Sequence, residues 1–125
     1  MSWPSHFPTN CPPLDQSAYE GFIYRHIQGD TPTTEDFISW AQKSPKKDFK
    51  EMQCQACGLS VFIDETASLN IGARVPALRG KKVAKYHFQK SDGVLKHTQS
   101  NNNEHHHTWW VDEFFTDIHL KFICI

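Results

Sequence analysis

The chain contains no apolar run approaching the about 20 residues that a membrane-spanning helix needs. Charge of one sign is also lacking: 13 Lys and Arg stand against 14 Asp and Glu, a formal charge of -1. That balance gives no electrostatic reason for nonspecific attachment to nucleic acid or to an anionic membrane, although a local basic groove is still allowed. No internal repeat is visible. There is no Gly-x-Gly-x-x-Gly, no Gly-Lys-Thr loop and no Gly-x-Ser-x-Gly elbow, which makes Rossmann enzymes, P-loop NTPases and α/β-hydrolases poor candidates. Cysteine is scarce, with four in all, too few for a disulfide scaffold. The opening Met1-Ser2-Trp3-Pro4 lacks the basic and apolar regions of a signal peptide, so the expected address is the cytoplasm, with the thiols reduced.

What is present fits one compact domain: 125 residues, 38% hydrophobic and 13% aromatic. Pro4, Pro8, Pro12 and Pro13 remove backbone donors, so residues 1–15 are expected to form an extended arm anchored by Trp3 and Phe7, followed by a helical turn over Asp15 to Tyr19. Gly21 to Ile27 and Leu59 to Ile63 read as strands rich in β-branched and aromatic residues. Between them, Thr31 to Asp36 carries the hydroxyl, proline and carboxylates of a helix start; Phe37, Trp40 and Ala41 share one face, and Ser44-Pro45 ends it. A short helix over Asp64 to Leu69 follows the second strand. Val83 to Phe88, a turn at Ser91-Asp92-Gly93 and Val94 to Thr98 read as a hairpin, and Ile118 to Cys124 alternates like a half-buried terminal strand. Residues 99–105 have the composition of a mobile polar loop. The expected class is α+β, a mainly antiparallel sheet with one or two short helices in a single domain of residues 1–125.

Several residues could carry chemistry. Cys54-x-x-Cys57 has the spacing at which two thiolates bind zinc, with His105 and His107 as candidate partners on one side of a strand, whereas Cys11 and Cys124 read as spectators. The alternative is that the cysteines are small buried side chains. His106 and His107 could move protons near neutral pH, but neighbours on a strand face opposite ways, so His105 pairs with His107 and His106 with Thr108. By the same alternation one of Trp109 and Trp110 fills the core while the other walls a ligand site. Arg25 lies in an apolar strand and needs an anionic partner, either a carboxylate such as Asp36 or Glu65, or a phosphate. Ser60 either faces solvent or points into a cleft shared with Arg25.

Taken in order, Cys11-Pro12-Pro13, Tyr24-Arg25, Glu35-Asp36-Phe37, Gly58-Leu59-Ser60-Val61-Phe62, Gly93-Val94 with His97-Thr98, and His106-His107-Thr108-Trp109-Trp110 resemble a set of small bacterial proteins over about residues 3 to 110. More loosely, the arrangement is similar to ADP-ribosyltransferase-like domains. That resemblance implies NAD as cofactor: Arg25 on its phosphate and ribose region, Ser60 on the nicotinamide ribose, Tyr24 or Trp109 stacked on a ring, and Glu104 or Glu113 polarising the ribose hydroxyl. Neither glutamate lies in the Glu-x-Glu or Gln-x-Glu pattern of that family, so His106 or His107 is the expected substitute, or the domain binds nucleotide without turning it over. The expectation from a different class is a noncatalytic, zinc-stabilised module that grips a protein or nucleic-acid partner. A defence- or toxin-associated role fits either.

Overall fold

The computed structural model describes residues 1–98 and 104–125, and the expected loop at 99–105 falls mostly outside them. The strands are β1 (Gly21–Ile27), β2 (Leu59–Phe62), β3 (Lys82–Phe88), β4 (Gly93–His97), β5 (His106–Val111) and β6 (Ile123–Cys124). They form one antiparallel sheet in the order β4-β5-β2-β1-β3-β6. Around it lie short helices α1 (Trp40–Lys43), α2 (Gln53–Ala56), α3 (Glu65–Asn70) and α4 (Ile118–Lys121), with several 3-10 turns. The α+β class is as expected, with more and shorter helices.

The sheet is nearly two sheets. β1 and β3 pair along their full length from Gly21↔Phe88 to Ile27↔Lys82, and β2 pairs with β5 from Leu59↔Trp109 to Phe62↔His106. β1 and β2 meet only at Tyr24↔Phe62. The three-stranded units β4-β5-β2 and β1-β3-β6 are thus joined by a single residue pair in the ladder.

β3 and β4 are not the expected hairpin, because three strands lie between them in the sheet. In a flat sheet that separation would be about 19 Å at about 4.8 Å per strand. The linker is a tight 3-10 turn over Lys90–Asp92, too short for that span, so the sheet must curl. Asp92 holds the corner: its carboxylate accepts from Gln89 N at 2.9 Å and Tyr86 Oη at 2.8 Å, and its carbonyl accepts from Trp109 Nε1 at 3.2 Å. Burial and the Asp92 carboxylate together push the Tyr86 hydroxyl up to about 12. Gly93 follows with φ 142°, and a Cβ there would land on the Trp110 carbonyl oxygen.

The curl wraps a core of Ile23, Ile27, Leu59, Val61, Ala84, Phe88, Leu95 and Trp109, closed by Phe37 and Phe122. The rings of Phe88 and Trp109 meet edge to face at 6.1 Å, although they come from strands in different halves of the sheet. A second cluster on the opposite face packs Trp110, Val94, Ala41, Ala56, Cys11 and Cys57 against Trp3 and Phe7 of the arm. Trp109 and Trp110 do point to opposite faces, but both are buried, at 0% and 2% exposure, each in its own cluster.

Three local expectations differ. The helix beginning at Thr34 is a 3-10 turn that breaks before Trp40, so Phe37 and Ala41 are buried while Trp40 is 63% exposed. The terminal strand is instead α4 followed by the two-residue β6, with Phe122 buried and Leu120 and Ile123 exposed. No helical turn forms over Asp15 to Tyr19; that segment runs beside β4, with Ser17 N donating to the Leu95 carbonyl.

The cysteines are arranged otherwise than expected. Cys11 is bonded to Cys54 in a disulfide, tying the arm to α2, and Cys57 and Cys124 are the free thiols. Cys11 is therefore no spectator. The two residues are 43 apart in sequence, and closing a loop of that length removes enough unfolded-chain entropy to stabilise a fold by about 2–4 kcal/mol. Cys11→Ser should lower unfolding free energy by about 2–4 kcal/mol in urea melts, and wild type with reductant should match it. Coincident melts of oxidised wild type and variant would show that the tether contributes nothing.

Candidate functional site

β2 and β5 place Ser60, His106 and Thr108 on the face opposite the main core, because Leu59, Val61 and Trp109 alternate with them toward that core. Antiparallel pairing sets Ser60 against Thr108, and β4 carries Thr98 alongside. The result is a polar line. His106 Nδ1 is 2.8 Å from the Thr98 carbonyl, which can only accept, so Nδ1 carries the proton. In the neutral ring Nε2 is then the acceptor, and Ser60 Oγ lies 3.0 Å from it. Thr98 Oγ1 also lies within 2.9 Å of both His106 Nδ1 and Thr108 Oγ1. Burial lowers the His106 pKa below the ordinary imidazole value, the hydrogen bond to the Thr98 carbonyl partly opposing it and His97 adding to it. The imidazole is thereby kept neutral and able to take a proton from Ser60.

This line floors an open groove of about 680 Å³. Trp40, Phe49 and Met52, with Gln55 and Ala56 of α2, form its other wall. Gly58 permits the wall to come this close, since a Cβ there would land on Thr108 Cγ2. A site of this size, with rings on one side and a few convergent polar groups on the other, has the make-up of a small-ligand pocket.

Arg25 does not enter the groove. It alternates with Ile23 and Ile27 on the core side of β1, where Nε donates to the Asp36 carbonyl and Nη1 to the Ser60 carbonyl, each at 2.7 Å. Its guanidinium carbon stands 5.8 Å from the Phe37 ring centre. The Asp36 carboxylate meanwhile accepts from Gln28 N, Thr33 N and Thr33 Oγ1. Burial brings the arginine down to about 10, with Asp36 opposing the change, so it remains charged at neutral pH. The carboxylate expected beside Arg25 is that of Asp36, which acts through its charge while the guanidinium's hydrogen bonds go to two backbone carbonyls, and the link to Ser60 runs through the backbone.

The other expected residues separate. Tyr24 is buried with Phe62, Val83 and Leu78, and Trp109 is fully buried with its indole nitrogen on Asp92, so neither ring has a free face for a cofactor. His107 points into the main core side, 4% exposed, with Nδ1 donating to the His105 carbonyl and its ring tilted against that of His97 at 4.9 Å between centres. It does not share the groove with His106. Glu104 is exposed and 3.7 Å from His105 Nε2, and Glu113 accepts from Ser2 Oγ past the other end of β5; neither lines the groove. Of the expected set, Ser60 and His106 come together, with Thr108 as the strand alternation implied.

The zinc ligands do not converge. Cys54 is consumed by Cys11, Cys57 lies four residues before Val61, and Val61 is the residue paired with His107. That is about 13 Å along a strand, and the cysteines and His107 also belong to opposite faces. Among the described residues no group of three or more His, Cys, Asp or Glu is placed to hold a metal ion.

Thr98 and the wall of Trp40, Phe49 and Met52 are not evident from the chain read in order. Thr98 could have been found by pairing Val94 to Thr98 with the His106 strand rather than with Val83 to Phe88. Comparison with known protein families, curated proteins and solved structures returns no match to this chain.

His26 and His107, like His106, are held below the ordinary imidazole pKa mainly by burial. A depressed folded-state value means that the unfolded chain binds more protons below about pH 6.5, so stability is fully present above that pH and is lost as pH falls through the folded values. Thermal melts should show the midpoint falling from pH 7 toward pH 5, with a shallower fall in His106→Gln. A midpoint that rises on acidification would show these rings are not held neutral.

Proposed function

We propose that the groove over β2 and β5 binds NAD and consumes it slowly, in the manner of an ADP-ribosyltransferase-like domain, with Ser60 and His106 at the reacting end. The observation that supports this reading is the hydrogen-bonded pair Ser60 Oγ and His106 Nε2 on the floor of a groove with aromatic walls. A ribose offers hydroxyls that both donate and accept, and the Ser60, Thr108, Thr98 and neutral His106 side chains complement them without a charge to desolvate.

In the proposed reaction the bond between nicotinamide and the ribose breaks, its electron pair leaving with nicotinamide. The oxygen of water or of a target hydroxyl forms the new bond to the ribose carbon. The proton of that oxygen passes to Ser60 Oγ, and the serine proton passes to His106 Nε2. Among the described residues no carboxylate lines the groove to offset the positive charge that develops on the ribose, so turnover is slow and binding is the more prominent property. A cytoplasmic location belongs to this proposal, and there the Cys11–Cys54 bond would be subject to reduction. Among the described residues no helix is long and apolar enough to cross a membrane.

A second reading, a noncatalytic module that grips a protein partner, rests on Trp40 and Met52 at the groove wall, 63% and 49% exposed. NAD separates the two. Calorimetric titration should give saturable binding to wild type and about a tenfold or greater loss in Ser60→Ala, whose melting midpoint should stay near wild type because that side chain is exposed, with a comparable loss in His106→Ala. Absence of both NAD binding and nicotinamide release would overturn the NAD reading and leave the docking module.

A further inference from the structure

We infer that the wall of the groove formed by residues 40–52 is a subsite for the base and phosphates of the nucleotide, with Trp40 as the stacking platform and Lys43 and Lys47 as the phosphate contacts. The inference deepens the NAD reading and rests on it for the position of the sugar.

Three observations converge on this wall. First, helical spacing puts Trp40 on one face with Phe37 and Ala41, yet the break before α1 turns it out to 63% exposure at the groove. Each exposed apolar side chain alone needs no explanation, but two rings and a methionine line one groove together with polar side chains. Second, each ring carries an ammonium: Lys43 Nζ is 5.1 Å from the Trp40 ring centre and Lys47 Nζ is 4.9 Å from that of Phe49. Each cation is thus held by attraction to a ring that itself lines the groove. Third, the charge of this segment is uneven. Lys43, Lys46, Lys47 and Lys50 lie within residues 43–51, with Asp48 and Glu51 as the only carboxylates there, and the ion pairs of the described residues involve none of these lysines.

An aromatic platform flanked by ammonium groups is complementary to a ligand that is planar at one part and anionic at the next. The floor has hydroxyls and a neutral imidazole and no cation, so the ligand's charge belongs at the wall and its sugar at the floor. A nucleoside diphosphate has that distribution. The two halves of the groove then divide the work, the wall holding the base and phosphates of NAD while the floor holds the ribose that reacts.

The test is a set of binding titrations on the full chain with NAD, ADP and adenosine as probes. ADP should bind and compete with NAD, and adenosine should bind at least about tenfold more weakly than ADP. Trp40→Ala should weaken ADP and NAD by about tenfold or more, since base stacking on an aromatic ring carries that order of affinity, and Trp40→Phe should restore most of it. A Lys43→Ala/Lys47→Ala double variant should weaken both and flatten the dependence of affinity on salt. These side chains are exposed, so melting midpoints should stay near wild type. If Ser60→Ala and His106→Ala weaken NAD while the wall variants do not, the subsite is wrong and the floor reading stands. If ADP depends on the wall but NAD is neither bound more tightly nor cleaved, the subsite stands and the NAD reading fails. If neither NAD nor ADP binds, both fail.

Discussion

The guanidinium of Arg25 sits where β1 and β2 have ceased to be a ladder. Beyond their single residue pair the two strands part, and Arg25 fills the gap by donating to the Ser60 carbonyl of β2 and to the Asp36 carbonyl that follows β1. The half-buried guanidinium is stable because its donors are met by two carbonyls, of Asp36 in the 3-10 turn after β1 and of Ser60 in β2. The same contact that keeps the arginine in the core therefore fixes the backbone of the residue whose hydroxyl floors the groove. Splitting the sheet also allows its curl: the half made of β4, β5 and β2 folds over the half made of β1, β3 and β6, and Asp92 ties the corner between them.

The two faces of β5 follow from that geometry. Its core face spends Trp109 and His107 on packing, where the first closes the curl against Phe88, Phe115 and Phe122 and the second packs its ring against His97. Its outer face carries His106 and Thr108 to the groove and Trp110 to the cluster beneath the arm. Trp110 Nε1 donates to the Cys54 carbonyl at 2.8 Å, so α2, the disulfide and the arm are all fastened to the strand that supplies the candidate base. The wall opposite the floor is built on that fastening. The chemistry available is that of a neutral imidazole and a hydroxyl, which suits proton transfer at an uncharged sugar better than stabilisation of a full positive charge.

Much of the sheet was legible in the chain. Alternation and β-branched content marked β1, β2, β3 and β4 within a residue or two, and Asp64 marked the start of α3, whose cap accepts from Ala67 N at 2.7 Å. Pairing was not legible, because a turn between two strands looks the same whether it closes a hairpin or a corner; only the tertiary ties of Asp92 distinguish them. The C-terminal alternation misled for a related reason: Phe122 is the segment's one fully buried residue, Ile118 and Cys124 pack on the core only in part, and nothing local opposes a helical turn over Ile118–Lys121. The cysteine spacing suggested zinc, whereas the partner of Cys54 is 43 residues away and no local pattern signals it. Ser60 and His106 share the groove face, whereas Arg25 and Trp109 lie on the core face of their strands. A difference of one position along a strand decided each case.

The central claim is that one groove, floored by Ser60 and His106, is where a nucleotide binds. Nitrogen-resolved NMR of the labelled protein during titration with NAD tests it most directly. Binding there should shift the Ser60, Thr98, His106 and Thr108 amides and the Trp40 indole, with the buried indole of Trp109 unmoved. Shifts confined to other surfaces, or none at saturating NAD, would contradict it.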